Sequence, residues 1–257
     1  METGARRGTG LMTRSAFFTL HRDLPREGPG ERGDVAWAAG ICELPRDARI
    51  CDAACGPGAD IPALLFAAPK ARITGFDLHQ PFVDDATARF SGDPRVTIRQ
   101  ARLIAMQDGL PDPADLGPFD LIWCAGAAYF HGITECLTAW RGALAPGGYV
   151  AFSDALYLTD APSEPVRANW AEYPAMTDAA GIDARVRAAG FETVATRILS
   201  DAAWEGYYGP VERRIADLQP GADADLQAVL AEAETEARIW RAHRDEFGYL
   251  LSVVRPI

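Results

Sequence analysis

The sequence has no apolar run near the roughly 20 residues needed to cross a bilayer, which excludes a transmembrane helix. Positive charge is scarce: 25 Lys and Arg stand against 36 Asp and Glu, a net charge of −11. So acidic a surface repels phosphate backbones, and no nucleic-acid partner is expected. Cysteine is sparse and odd in number, with Cys42, Cys51, Cys55, Cys124 and Cys136 inside apolar segments. That usage fits the reduced thiols of a cytoplasmic protein and excludes a disulfide framework. Cys51 and Cys55 form a lone C-x₃-C with no second Cys/His cluster, so no metal is expected. The first 14 residues, METGARRGTGLMTR, have no apolar core of the signal-peptide kind and are expected to form a disordered leader. No internal repeat is found, which sets aside solenoids and propellers. The 257 residues are enough for one large α/β domain or two small ones.

What is present is an alternation of short β-like runs with helical stretches. Arg49–Ala54 is an apolar run that ends at Gly56-Pro57-Gly58, a buried strand meeting a turn. A helix is expected over Ala59–Ala68, a strand over Arg72–Leu78 and a helix opening near Pro81. Further strands are expected over Val96–Ala101, Phe119–Ala125 and Tyr149–Ser153, with a helix over Ile133–Leu144 stopped by Pro146-Gly147-Gly148. Four β-α units in series predict parallel strands with right-handed crossovers, that is, a doubly wound α/β sheet. A helix over Thr177–Ala189 and a sixth strand over Phe191–Leu199 follow. A long helical insertion then lies between Trp204 and Phe247. Its second helix places Leu226, Val229, Leu230, Ala233, Trp240 and Phe247 on one face. Tyr249–Val254 is expected to close a seven-stranded, mostly parallel sheet with helices on both faces. A terminal strand that returns to the sheet makes the insertion a flank of one domain.

Asp52-Ala53-Ala54-Cys55-Gly56-Pro57-Gly58 is the chemical centre of the sequence. Small residues there let a ligand approach the backbone, and the next helix offers free N–H groups. In an open parallel sheet the crevice beyond the carboxyl ends of the strands is where ligands bind. A dinucleotide fingerprint needs a third glycine where this chain has Ile61, and Asp52 would stand beside a pyrophosphate. An anionic side chain there favours a cationic ligand. Asp77, at the end of the second strand, can accept both hydroxyls of a ribose.

These residues resemble the class I S-adenosylmethionine-dependent methyltransferases. Asp52–Gly58 is similar to their first motif, D/E-x-G-x-G-x-G, with Ala54 in place of the first glycine. Phe119–Cys124 resembles the fourth motif, and Leu144–Tyr149 the L-x-P-G-G turn before strand five. The resemblance runs from Ala48 to Ser153. It implies a Rossmann-like methyltransferase fold and S-adenosyl-L-methionine as cofactor, with S-adenosyl-L-homocysteine as product. It implies that Asp52, Ala54, Gly56, Pro57 and Gly58 lie near the methionine part and that Asp77 binds the ribose. Leu78 would cover the adenine, Arg102 and Leu103 would stand where the family meets the adenine amino group, and Cys124 would line the same crevice. The outer segments Phe17–His21, Leu24–Gly30, Trp123–Tyr129, Trp170–Pro174, Trp204 and Tyr207–Pro210 resemble a group of bacterial small-molecule methyltransferases. That group often reads W-S-E-G-A-x-Y after strand four, and this chain has Cys124 and Ala125 at the Ser and Glu positions.

The division expected on these grounds is an N-terminal cap over 15–47, a cofactor-binding core over 48–160, and substrate-side helices and closing strands over 161–257. His131, just past strand four, Asp154, just past strand five, and Tyr129 are the candidate bases. For His131 a solvated loop histidine, and for Asp154 a turn cap, are the competing readings. His21, Tyr129, Trp170, Tyr173, Tyr207 and Tyr208 are the candidate substrate contacts, by their polar handles outside the regular sheet. The expected reaction is methyl transfer to the N, O, S or C nucleophile of a small molecule by in-line displacement. A non-catalytic cofactor-binding module and, on the same sheet, an NAD-dependent oxidoreductase are the alternatives. No membrane partner is expected, and a homodimer is left open.

Overall fold

A computed structural model describes residues 11–106, 110, 111 and 113–257. Its strands β1 (Arg49–Ala53), β2 (Arg72–Asp77), β3 (Val96–Gln100), β4 (Phe119–Cys124), β5 (Leu144–Tyr157), β6 (Phe191–Ile198) and β7 (Phe247–Pro256) form one seven-stranded sheet. The order is β3-β2-β1-β4-β5-β7-β6. β1 to β5 pair in parallel, and β7 runs antiparallel between β5 and β6. The chain moves outward from β1 to β3 and then returns to place β4 on the other side of β1. The order therefore reverses between β1 and β4, and in open parallel sheets the carboxyl ends of the strands at such a reversal are where ligands bind.

The strands read as apolar runs because both sheet faces are covered. Ile50, Ile73, Leu121, Trp123, Ala151 and Val253 face one core layer. Cys51, Phe76, Ile122, Cys124, Phe152 and Val254 face the other. Helices α2 (Arg32–Ile41) and α3 (Ile61–Ala67) lie on the first side, and α5 (Ile133–Trp140) and α7 (Ala179–Ala188) on the second. Asp178 caps α7 by accepting the Gly181 N–H at 2.8 Å. α4 (Gln80–Phe90) follows β2, and α6 (Glu164–Asn169) follows β5. Among the described residues no helix is long and apolar enough to cross a membrane.

The insertion consists of α8 (Asp201–Leu218) and α9 (Ala224–His243). They pack with α1 (Leu11–His21) and the segment just after it through Leu20, Leu24, Val211, Ile215, Val229 and Leu230. Cap and insertion are also pinned together by polar contacts. The Gly30 N–H donates to the Ala203 carbonyl at 3.3 Å, and the Ser200 hydroxyl to Glu31 at 2.7 Å. The N-terminal and late segments thus form one layer over the sheet.

Several boundaries differ from expectation. Of the leader expected over 1–14, residues 1–10 lie outside the described residues, while 11–14 open α1. Strand five begins at Leu144, not Tyr149, so Pro146-Gly147-Gly148 lies inside β5 and not in a turn before it. The register shifts between Phe119 and Leu121, and a Cβ on Gly148 would stand 2.7 Å from the Phe119 carbonyl oxygen. Close backbone approach at a bulge explains the glycine. α5 ends at Trp140 and passes into one 3₁₀ turn, Arg141–Ala143. Phe247 opens β7 and is not on the α9 face, because α9 ends at His243. Asp154 lies inside β5, paired with Leu250, and not just past the strand.

Candidate active site

Where β1 ends, Ala54 takes φ +57°, and Gly56 and Gly58 take +53° and +80°. At Gly58 a Cβ would also meet the Phe90 ring at 2.6 Å, so sterics and backbone both demand glycine. Ala54 holds the left-handed conformation despite its methyl group, a local strain at the centre of the loop. The turn is fastened from the neighbouring strand. Asp77 Oδ2 accepts the Gly56 N–H at 3.0 Å, and Oδ1 accepts the His79 N–H at 2.8 Å. Burial pushes the Asp77 carboxyl up to about 6 against the pull of those two amides.

Asp52 is 3% exposed, and its Oδ2 has no hydrogen-bond partner among the described residues. Burial, reinforced by Asp60 and Asp77, drives its pKa well above the usual carboxylate range. Asp60, at the cap of α3, accepts the Trp123 indole N–H at 3.0 Å and pairs with Arg26 at 3.4 Å. A cation from the N-terminal cap therefore reaches the carboxylates behind the loop. Glu27 lies beside it, with its Cγ 3.2 Å from where a Gly56 Cβ would be. One Glu27 oxygen is 2.6 Å from His21 Nδ1, while Oε1 is buried with no partner among the described residues. Burial raises the Glu27 pKa against the pull of His21.

The remaining expected cofactor residues lie at or just past the ends of β1 to β4. Pro57 is half-buried in the loop. Leu78, just past β2, is half-buried and its carbonyl accepts the Gln100 side chain at 3.0 Å. Arg102 is half-buried, and the buried Leu103 accepts the Trp140 indole N–H on its carbonyl at 2.6 Å. Cys124 is fully buried at the end of β4, and burial raises its thiol pKa.

The three candidate bases do not meet at one point. Asp154 is fully buried and accepts the Tyr173 hydroxyl at 3.0 Å; burial raises its carboxyl to about 6. Tyr129 is on this side too, with its ring 5.4 Å from that of Tyr173. Burial and the nearby Asp154 raise its phenol pKa. His131 follows a 3₁₀ turn, Ala128–Phe130, and the charged side chain acting on it is Arg102. Burial holds its pKa below the ordinary histidine value, which favours the neutral ring.

The expected substrate residues separate in the same way. His21 is buried, stacked on Phe17 with centroids 4.0 Å apart and paired to Glu27. Trp170, Tyr173, Tyr207 and Tyr208 pack around the core layer that holds Trp204, Phe247 and Tyr249. The Trp170 indole N–H is buried without an acceptor among the described residues. Asp60, Glu27 and Tyr249, which the sequence does not single out, are packed against the candidate site residues. For Asp60, its place just before the apolar run at Ile61 was the available signal. Tyr249 arrives from the last strand, and nothing near it in sequence marks it.

Residues 51–150 match the family model of a methyltransferase domain. The trans-aconitate 2-methyltransferase of Streptomyces avermitilis is 38% identical over 116 residues, which are 44% of this chain and 42% of that protein. The chain thus spans less than half the length of that curated relative. A SAM-dependent methyltransferase from Geobacter sulfurreducens, solved with S-adenosyl-L-homocysteine, superposes with TM-score 0.76 at 17% identity, covering 95% of this chain and 98% of that one. One from Thiobacillus denitrificans, also with S-adenosyl-L-homocysteine, gives 0.76 at 18%, covering 94% and 98%. At such identities the likeness is one of fold. Residues 51–150 are therefore similar to a methyltransferase domain, and the chain has the fold of the class I S-adenosylmethionine-dependent methyltransferases.

Proposed function

We propose that the protein transfers a methyl group from S-adenosyl-L-methionine to a small-molecule nucleophile. The observation that carries this reading is the pair of buried carboxylates, Asp52 and Asp77, around a left-handed loop at the switch point of the sheet. The chain fits such a cofactor: Asp52 offers a buried oxygen without a partner among the described residues, which suits a cationic group. Asp77 would take the ribose, the backbone of 54–58 the methionine part, and Leu78, Arg102 and Leu103 the adenine, with Cys124 at the crevice wall. Ile61, fully buried at the start of α3, fills the position where a dinucleotide loop needs glycine.

The cofactor, when bound, supplies an already activated methyl group on a sulfonium. The protein's work is then alignment and exclusion of water. The layer of α1, α8 and α9 covers the crevice and supplies His21, Tyr207 and Tyr208; Trp170 and Tyr173 come from the segment after β5. A base is needed only if the acceptor must lose a proton. Asp154, with its carboxyl at about 6, can hold that proton near neutral pH. Tyr129 is a poorer base, since burial opposes its ionised form. Neutral His131 stands apart, toward Arg102.

A small acceptor is supported by the covering layer and by the name of the Streptomyces relative, whose acceptor is trans-aconitate. The five free, buried thiols support a cytoplasmic setting. Donor carrying a labelled methyl group, incubated with the protein and fractionated host metabolites, should pass label into a small molecule. Cofactor binding without any transfer across those fractions would instead indicate a non-catalytic module.

A further inference from the structure

Five tyrosines from four separate parts of the chain gather beyond the cofactor loop. Tyr129 follows β4, Tyr173 follows α6, Tyr207 and Tyr208 lie on α8, and Tyr249 on β7. The rings of Tyr129 and Tyr173 are 5.4 Å apart, those of Tyr207 and Tyr208 5.2 Å, and Trp204 joins Tyr208 and Tyr249 at 5.9 and 5.0 Å. Tyr129 and Tyr249 share a hydrogen bond. Tyr129, Tyr173 and Tyr207 remain half-buried, so part of this aromatic surface is open.

The charged side chains facing Tyr129, Tyr207 and Tyr249 are all acidic. Asp154 and Glu236 act on Tyr129, Glu236 and Glu27 on Tyr207, and Asp154 on Tyr249. Arg185 reaches the group from the Tyr173 side, where it donates to the Tyr173 hydroxyl at 3.3 Å. Glu27 adds an independent sign of a missing ligand, because its Oε1 is buried with no partner among the described residues. A buried carboxylate oxygen without a donor is costly and calls for a cation or a hydrogen-bond donor. Aromatic faces ringed by carboxylates attract ammonium groups and repel carboxylates.

We infer that the acceptor is an amine, bound as its ammonium ion between the Tyr129, Tyr207 and Tyr249 rings and the Glu27 and Asp154 carboxylates, and methylated on nitrogen. The inference rests on the methyl-transfer reading and names the substrate class for it. The ammonium gives one N–H proton to a carboxylate. The lone pair so freed forms the new N–C bond while the S–C bonding pair stays with sulfur, and the product leaves as a methylated ammonium ion.

The test uses choline as a cationic probe, 3,3-dimethylbutan-1-ol as its neutral isostere and trans-aconitate as an anionic one. Each is titrated calorimetrically into the full chain, with and without S-adenosyl-L-homocysteine. Choline should bind at least roughly tenfold tighter than the isostere, and trans-aconitate should not bind. Tyr207→Leu should weaken choline by roughly tenfold, while Tyr207→Phe, which keeps the ring, should stay within about threefold. Circular dichroism confirms that both variants fold. Equal binding of choline and isostere, tighter binding of trans-aconitate, or wild-type choline affinity in folded Tyr207→Leu would overturn the assignment. Loss of choline selectivity with S-adenosyl-L-homocysteine binding intact defeats the amine assignment alone. Absence of S-adenosyl-L-homocysteine binding defeats the methyl-transfer reading and the N-methylation step with it.

Discussion

Asp77 and Gly56 are joined by a 3.0 Å hydrogen bond from the glycine amide to the carboxylate, which ties the loop after β1 to the end of β2. The same carboxylate is the proposed ribose ligand, so one side chain both shapes the loop and presents an anion to the crevice. Its pKa near 6 lies above the ~3.9 of an unfolded chain. The folded state therefore binds more protons between those values, and the Asp77 contribution to stability is lost as pH rises through about 4 to 6. Unfolding midpoints of the wild type relative to Asp77→Asn should fall across that window, as read by urea titration at each pH.

Affinity for the cofactor should move in the opposite direction. An ionised Asp77 can accept two further hydroxyls, while the protonated acid has given up part of that capacity. Binding of S-adenosyl-L-homocysteine should tighten from pH 5 to pH 7 by roughly tenfold or less, as one pKa-linked site allows. In Asp77→Asn the same titration should be nearly flat.

Ala54 sits at φ +57° where an L-residue is strained. Ala54→Gly removes that strain but adds backbone entropy to the unfolded chain. The balance predicts a stabilisation of up to about 1 kcal/mol, read as a higher urea midpoint with unchanged slope.

The buried Asp154 accepts the Tyr173 hydroxyl at 3.0 Å. Tyr173→Phe leaves that oxygen without its donor and should destabilise the fold by about 1–3 kcal/mol. It should also raise the Asp154 pKa, since a hydrogen bond that holds it down is removed. A shift of any acid limb in the activity profile to higher pH would report this.

The insertion is part of the core and not an appendage. Trp240 on α9 stacks on Trp204 of α8 with centroids 5.3 Å apart and rings within 10°. Trp240→Ala should cost about 3–5 kcal/mol in a single, unsplit unfolding transition.

Much of this arrangement was legible because parallel strands buried on both faces read as short apolar runs bounded by Gly and Pro. That held for β1 to β4, for the loop Asp52–Gly58 and for Asp77 at the end of β2. It failed at β5, where Pro146-Gly147-Gly148 looks like a turn but serves a bulge inside the strand. Asp154 was therefore placed past a strand in which it is embedded. Glu27, Asp60 and Tyr249 acquire their places from contacts distant in sequence, such as the Trp123–Asp60 hydrogen bond. Local pattern carries no trace of those. Phe247 fitted the helical spacing of α9 by chance of register, since the chain turns to strand only just before it.

The central claim is that Asp77 and the loop 54–58 form the binding site of S-adenosyl-L-methionine. Isothermal titration of S-adenosyl-L-homocysteine into wild type, Asp77→Asn and Asp77→Ala tests it most directly, with thermal unfolding to confirm that each variant folds. Micromolar binding by the wild type, weakened by roughly 10- to 100-fold in Asp77→Ala and less in Asp77→Asn, is the expected result for loss of charge-assisted bonds to buried hydroxyls. Unchanged affinity in folded Asp77→Ala would contradict the account.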